Sequence, residues 1–214
     1  MTDGGAAPEI LFLRVRENAA SAAREAECLS EEERAKAEAF HRPEDAARYL
    51  VAHTALRREL ARRTGTTPAS VPLVRARCPV CGGPHGRPGV AGDPLHFSLS
   101  HAGDLVLLAF ASAPVGADVE AEPEAAAVDD VAGALHPRER DELGALPPAS
   151  RPAAFARCWT RKEAYLKGTG TGLAEEPSVT YVGTGESPAG PPGWEIGDLS
   201  APEGYAAAWA RPRS

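Results

Sequence analysis

Long apolar runs are absent from this sequence. No stretch of about eighteen hydrophobic residues exists, so no membrane-spanning helix is expected. Aromatic residues make up only 6% of the chain and methionine occurs once, so the 43% hydrophobic share leans on alanine. Cysteine occurs four times, too irregularly spaced for a disulfide framework, which points to reduced thiols in a cytoplasmic protein. The opening Met1-Thr2-Asp3-Gly4-Gly5 lacks the basic-then-apolar order of a signal peptide, which points the same way. An excess of positive charge is missing too. The net charge of −7 argues against non-specific nucleic-acid binding, while leaving room for a local basic patch. What is present, 214 residues of which 25% are charged, suits a globular protein of one domain or two small ones.

Along the chain, Glu9 to Val15 reads as a mostly buried strand. Ser30-Glu31-Glu32-Glu33 has the form of a capping box and predicts a helix running toward Phe40. Pro43, with Glu44 and Asp45 behind it, opens a second helix that reaches about Arg63 and stops at Thr64-Gly65. Its apolar stripe includes Leu50, Val51, Ala55, Leu56 and Leu60, and its arginines read as a solvated face. Val71 to Val74 is a short strand. Cys78, Cys81 and His85 in the following loop have the spacing of three zinc ligands, but a closed structural site needs four. A bend with two small buried thiols is the simpler account of the loop. Leu95 to His101 alternates as a strand should, and Leu105 to Ala111 is apolar throughout, as a strand buried on both faces would be. His101 falls in the turn between them, next to a serine, where it can contact an anion.

Pro114 to Glu120 follows as another strand, and here the chemistry begins. Asp118 and Glu120 project from one face with about 7 Å between their Cα atoms. Two carboxylates so placed repel unless a cation lies between them, and magnesium suits such a pair when phosphates complete its shell. A solvent-facing acidic edge strand is the simpler alternative. His136-Pro137-Arg138-Glu139 starts a helix, and Ser150 begins another that ends at Gly168. In that last helix Phe155, Trp159, Lys162 and Leu166 share one stripe, and Trp159, Glu163 and Lys167 the next, with Trp159 as the core anchor. Alone, Glu163 and Lys167 would be an i,i+4 pair contributing a few tenths of a kcal/mol. Thr169-Gly170-Thr171-Gly172-Leu173 follows its helix instead of opening one, which excludes a phosphate-binding nucleotide loop. Ser178 to Val182, Trp194 to Leu199 and Tyr205 to Ala210 read as three strands that cover the helix.

Val115-Gly116-Ala117-Asp118-Val119-Glu120, followed about forty residues later by Trp159-Thr160-Arg161-Lys162-Glu163-Ala164-Tyr165-Leu166-Lys167, resembles the signature of the 4′-phosphopantetheinyl transferase superfamily. Phe97-Ser98-Leu99-Ser100-His101 resembles the motif that precedes it, and the length resembles the surfactin-synthetase-activating type, a pseudo-dimer in one chain. The resemblance runs from about Ser30 to the end. It implies an α+β fold of two pseudo-symmetric halves, 1–111 and 112–214, with the active site in the cleft between them. It also implies a magnesium-dependent monomer that moves the phosphopantetheine arm of coenzyme A onto a serine of an apo acyl or peptidyl carrier protein.

By position the resemblance makes Asp118, Glu120 and Glu163 magnesium ligands, and Lys167 the contact to the phosphates, with Lys162 adding charge nearby. Ser100 and His101 correspond to contacts with the nucleotide end of coenzyme A. Arg87 stands where the family often has the lysine of Gly-Lys-Pro, and Arg48 and Lys36 stand at further coenzyme A positions. Glu139 corresponds to a glutamate proposed as general base. The chain departs from the pattern at the Cys78 to Gly83 insertion, at Glu33 where lysine is common, and at Tyr49 in place of a small hydroxyl residue. Two other readings use the same residues: a magnesium-dependent nucleotide phosphohydrolase, and a non-catalytic carrier-binding scaffold.

Overall fold

Strand β1 (Glu9–Arg14) passes straight into helix α1 (Val15–Glu25), which the sequence did not announce because Arg14 supplies no capping side chain. The helix buries Val15 and Ala22 in the first core. The computed structural model describes residues 7–213 apart from 80, 85, 93, 94, 173 and 174. Helix α2 (Glu31–Glu38) begins with the expected box: Ser30 Oγ accepts from the Glu33 amide at 3.2 Å, and Glu33 Oε2 accepts from the Ser30 amide at 2.8 Å. Helix α3 (Pro43–Thr64) starts on its proline and ends at Gly65, whose φ of 71° is open to glycine at little steric cost.

A short ribbon pairs β2 (Leu73–Arg75) with β3 (Pro88–Val90). The expected Val71–Val74 strand is displaced toward Arg75, because Val71 turns into the core and its carbonyl accepts from Leu73. β4 (His96–Ala102) and β5 (Leu105–Ala111) then complete an antiparallel sheet in the order β1-β5-β4. β5 is central, and both its faces are covered. Val106, Leu108 and Phe110 meet Val51, Leu56 and Leu60 of α3, while Leu105, Leu107 and Ala109 face Val115, Ala117 and Val119. That two-sided burial is why the strand is apolar at every position.

The second sheet has the order β6-β8-β7, from β6 (Gly116–Ala121), β7 (Trp194–Leu199) and β8 (Tyr205–Pro212). Between β6 and β7 come α4 (Ala125–Val131), α5 (Pro137–Ala145) and α6 (Arg151–Thr169). Both sheets therefore place the first strand of their stretch of chain beside the last, with the penultimate strand outside it. Helices and antiparallel sheets make the fold α+β. Among the described residues no helix is long and apolar enough to cross a membrane.

Helix α6 lies unusually close to β6. A Cβ on Gly116 would stand 1.9 Å from the Ala164 carbonyl oxygen and 2.4 Å from the Gly168 amide, so only glycine fits there. The helix continues past its expected stop at Gly168 to Gly170, where φ is 77°. Trp159 is half-buried, packed against the second core and stacked on Phe155. Ser178–Val182 forms turns and irregular chain instead of the expected strand. The physical reason is hydrogen bonding: Glu139 takes the Val182 amide and Lys162 takes the Thr180 carbonyl, so side chains satisfy the backbone groups that a neighbouring strand would use.

The two sheets meet where β4 runs beside β6. They are joined there by the Ser98 hydroxyl, which accepts from the Ala117 amide at 2.9 Å and donates to the Ala117 carbonyl at 3.3 Å. This seam positions the site.

Candidate active site

One residue beyond that hydroxyl bridge, Asp118 turns its carboxylate into the seam with only 2% of its surface exposed. Its Oδ1 accepts from the Ser100 hydroxyl at 2.6 Å and from the Lys167 ammonium at 2.5 Å. Its Oδ2 is buried with no hydrogen-bond partner among the described residues. Three elements are thus brought to one point: β4 through Ser100, β6 through Asp118 and α6 through Lys167. Lys167 reaches Asp118 because Gly116 lets the helix settle on the strand.

Glu120 lies two residues further along β6, and Glu163 one turn before Lys167 on α6. Burial and the Asp118 charge push the Glu120 pKa up to about 7, with Glu163 adding to the rise and Lys167 opposing it. Glu163 is raised by burial and then by Asp118. Burial raises Asp118 as well, against the pull of Lys167 and the Ser100 hydrogen bond. Three carboxylates share a field that contains one nearby ammonium. The arrangement is short of positive charge.

A hard divalent cation fits this donor set. The available donors are carboxylate oxygens, one of them buried and without a hydrogen-bond partner among the described residues, and such oxygens suit magnesium. Among the described residues, however, no group of three or more His, Cys, Asp or Glu side chains stands close enough together to hold a metal ion as placed. The cation present at Asp118 Oδ1 is the Lys167 ammonium.

The remaining predicted residues divide into two groups. His101 is the penultimate residue of β4, paired with Val106, and not in the turn, which is made by Gly103 and Asp104. Although the residue is exposed, packing about its ring lowers its pKa, and Arg48 and Lys167 add their charges in the same direction. Arg48 donates from Nε to the Gly103 carbonyl at 2.8 Å and pairs with Asp45 at 3.1 Å. Lys36 lies over the Tyr49 ring, 5.4 Å from its centroid. Arg87 ties to the far end of α6 through the Gly168 carbonyl at 3.3 Å and lines a cavity of about 300 Å³ with Val74, Pro88, His96 and Phe97.

Glu139 and Lys162 are not brought to the carboxylate cluster. Both are buried on another side of α6, where Lys162 Nζ stands 2.6 Å from Glu139 Oε2. Residues 162 and 163 point about 100° apart around a helix, so they cannot both face Asp118. Cys78 is buried and Cys81 exposed, in a tight turn closed by the Gly82 amide on the Cys78 carbonyl at 2.8 Å. The third member of the zinc expectation, His85, lies outside the described residues, as does Leu173 of the glycine-rich turn. Sequence reasoning overlooked Ser98 and the close approach at Gly116. A glycine beginning a strand two residues before a buried acid was the available signal for the latter.

A family model for the 4′-phosphopantetheinyl transferase superfamily matches residues 114–208, the stretch that holds β6, α6, β7 and the first half of β8. The chain is 32% identical over 190 residues to the 4′-phosphopantetheinyl transferase HetI of a Nostoc species, covering 85% of this chain and 78% of that protein. It is 29% identical over 147 residues to a 4′-phosphopantetheinyl transferase of Bacillus subtilis, covering 68% of this chain and 62% of the relative's length. The 4′-phosphopantetheinyl transferase AcpT of Salmonella typhi is 40% identical over 91 residues, 41% of this chain and 47% of that one.

Proposed function

The chain belongs to the 4′-phosphopantetheinyl transferase superfamily, and on that premise we propose that it transfers the phosphopantetheine arm of coenzyme A to a serine of an apo acyl or peptidyl carrier protein, releasing 3′,5′-ADP with magnesium as cofactor. The observation that carries this reading is the contact of Lys167 with Asp118 at the seam between the sheets, with Glu120 and Glu163 in the same field of charge. Transfer of a phosphoryl-linked group requires the pyrophosphate charge to be neutralised and the nucleophile to be held in line.

In this reading Asp118, Glu120 and Glu163 hold magnesium, which neutralises pyrophosphate charge when bound. Lys167, whose side chain is 32% exposed, turns its ammonium from Asp118 toward the phosphates and stabilises charge gathering on the departing 3′,5′-ADP. Ser100 keeps Asp118 oriented through its hydroxyl and, with His101 and Arg48, faces the nucleotide end. Arg87 meets a phosphate with its planar fork. A carboxylate or a bound water takes the proton from the carrier serine. Residues 1–111 and 112–214 are then two copies of one unit, with coenzyme A between them, and the second copy carries the reacting groups. The shared strand order supports that division.

The test mixes the chain with coenzyme A, magnesium and an apo-carrier protein. The expected result is a mass gain of one phosphopantetheine arm on the carrier serine. Phosphate release without any carrier would point instead to a hydrolase using the same carboxylates, and failure to bind coenzyme A would leave a carrier-binding scaffold.

A further inference from the structure

Glu139 has no exposed surface, and its hydrogen bonds are numerous. Oε2 meets the Lys162 ammonium at 2.6 Å and accepts from the His136 amide at 3.0 Å, while Oε1 accepts from the amides of Val182 at 2.7 Å and Gly183 at 3.2 Å. Burial and the charge of the same carboxylate raise the pKa of the buried Cys158 thiol. Lys162, 2% exposed, spends a second N–H on the Thr180 carbonyl at 2.5 Å. A general base needs a free lone pair within reach of its substrate, and a phosphate contact needs an accessible ammonium. Neither group has one.

What the pair does hold is helix α6. Cys158 and Lys162 form one stripe, facing Glu139 on α5; Glu163 and Lys167 form another, facing Asp118 on β6. Securing the first stripe sets the rotation of the second. The neighbouring segment 180–186 has no regular structure and is held by the same two helices. Arg161 donates to the carbonyls of Gly183 and Glu186, Arg157 to that of Thr184, and Glu142 accepts from the Thr184 amide.

We propose that Glu139 and Lys162 are positioning residues: their buried ion pair fixes the rotation of α6, and so presents Glu163 and Lys167 to Asp118 without touching substrate. This rests on the transferase reading above. A misplacement of about 1 Å in reacting groups lowers rates by as much as about 100-fold, so the pair would govern turnover from a distance.

The experiment compares Glu139→Gln, Lys162→Met and the double substitution with the unsubstituted full chain, using coenzyme A, magnesium and an apo-carrier protein. It reads kcat, KM for coenzyme A, the pH profile of kcat and the melting temperature. Each single change strands one buried charge, so melting temperature and kcat fall together, kcat by about 10- to 100-fold. The double change removes both charges. Its expected result is recovery of melting temperature and of kcat to within about 10-fold of the unsubstituted chain, with KM and the pH profile unmoved. A folded double variant still about 1,000-fold slow, or lacking one limb of the pH profile, overturns the proposal in favour of Glu139 as base. A KM raised about 10-fold in Lys162→Met and in the double variant overturns it in favour of a direct phosphate contact. Single variants that melt lower yet keep full kcat while folded reduce the pair to stabilisation and overturn it as well. If the unsubstituted chain transfers nothing, the transferase reading itself fails; an active chain with any of the other three outcomes sinks only the positioning role.

Discussion

The Lys167 ammonium stands 2.5 Å from Asp118 Oδ1, on a buried carboxylate whose other oxygen has no hydrogen-bond partner among the described residues. The ammonium is the only cation hydrogen-bonded to Asp118 among those residues. In the proposed transferase an incoming phosphate would offer Lys167 a second anionic partner, and magnesium would replace it at Asp118.

Lys167→Met should lower kcat by about 100-fold or more, the loss typical when a donor to developing transition-state charge is removed. Asp118→Asn should cost at least as much with the far-UV spectrum unchanged. Full turnover of Asp118→Asn with magnesium would sink the metal assignment.

Magnesium should stabilise the chain in the absence of coenzyme A. Cation binding relieves the repulsion among Asp118, Glu120 and Glu163, and at about 100-fold excess over Kd it contributes about 2.7 kcal/mol. Thermal melts with and without magnesium measure this. The shift should vanish in Glu163→Gln; an equal shift there would place the ion elsewhere.

Ser98→Ala should destabilise the protein by about 1–3 kcal/mol, because it leaves the buried Ala117 amide and carbonyl without the hydroxyl that joins the sheets. The loss is measured by urea unfolding. Since Ala117 precedes Asp118, kcat should fall too, with KM for coenzyme A little changed. Unaltered stability would show that the seam does not depend on this bridge.

Acid should unfold the N-terminal part of the molecule through Glu33. Burial raises this carboxyl, but hydrogen bonds from His53, the Ser30 amide and Arg57 outweigh it and hold the pKa at about 2, against an ordinary 4.5. The folded value lies below the unfolded one, so the stabilisation is complete above about pH 4.5 and disappears as pH falls toward 2. It amounts to on the order of 3 kcal/mol. Stability followed from pH 6 to 2 should decline over that window in the native chain, and less steeply in Glu33→Gln.

Ser30 and Glu33, three residues apart, carry their own helix start, and Pro43 and Gly65 delimit α3 by backbone preference alone. The alternation of β4 and the continuous apolar run of β5 likewise reveal strands and their burial. Helix α1 was hidden because no capping residue precedes Val15. Ser178–Val182 has strand-forming residues, yet Glu139 and Lys162 take its hydrogen bonds, and no local pattern reports partners some twenty to forty positions away.

The candidate site divides along the same line. Asp118, Glu120, Glu163 and Lys167 could be picked out as residue types at suggestive spacings, because strand and helix periods are local properties. Which charged stripe of α6 turns toward β6 is not local. Glu163 with Lys167, and Lys162 beside them, each offer a charged side to the core, and the sequence treats both alike. The choice follows from where Glu139 lies on α5 and from the absent side chain at Gly116, which lets one face of the helix settle against the strand. The amino-acid order by itself determined α2, α3, β4, β5 and the inventory of charge. Only the tertiary structure decided which ion pair would be sealed in the interior and which left at the seam, because that depends on the packing of segments far apart in the chain.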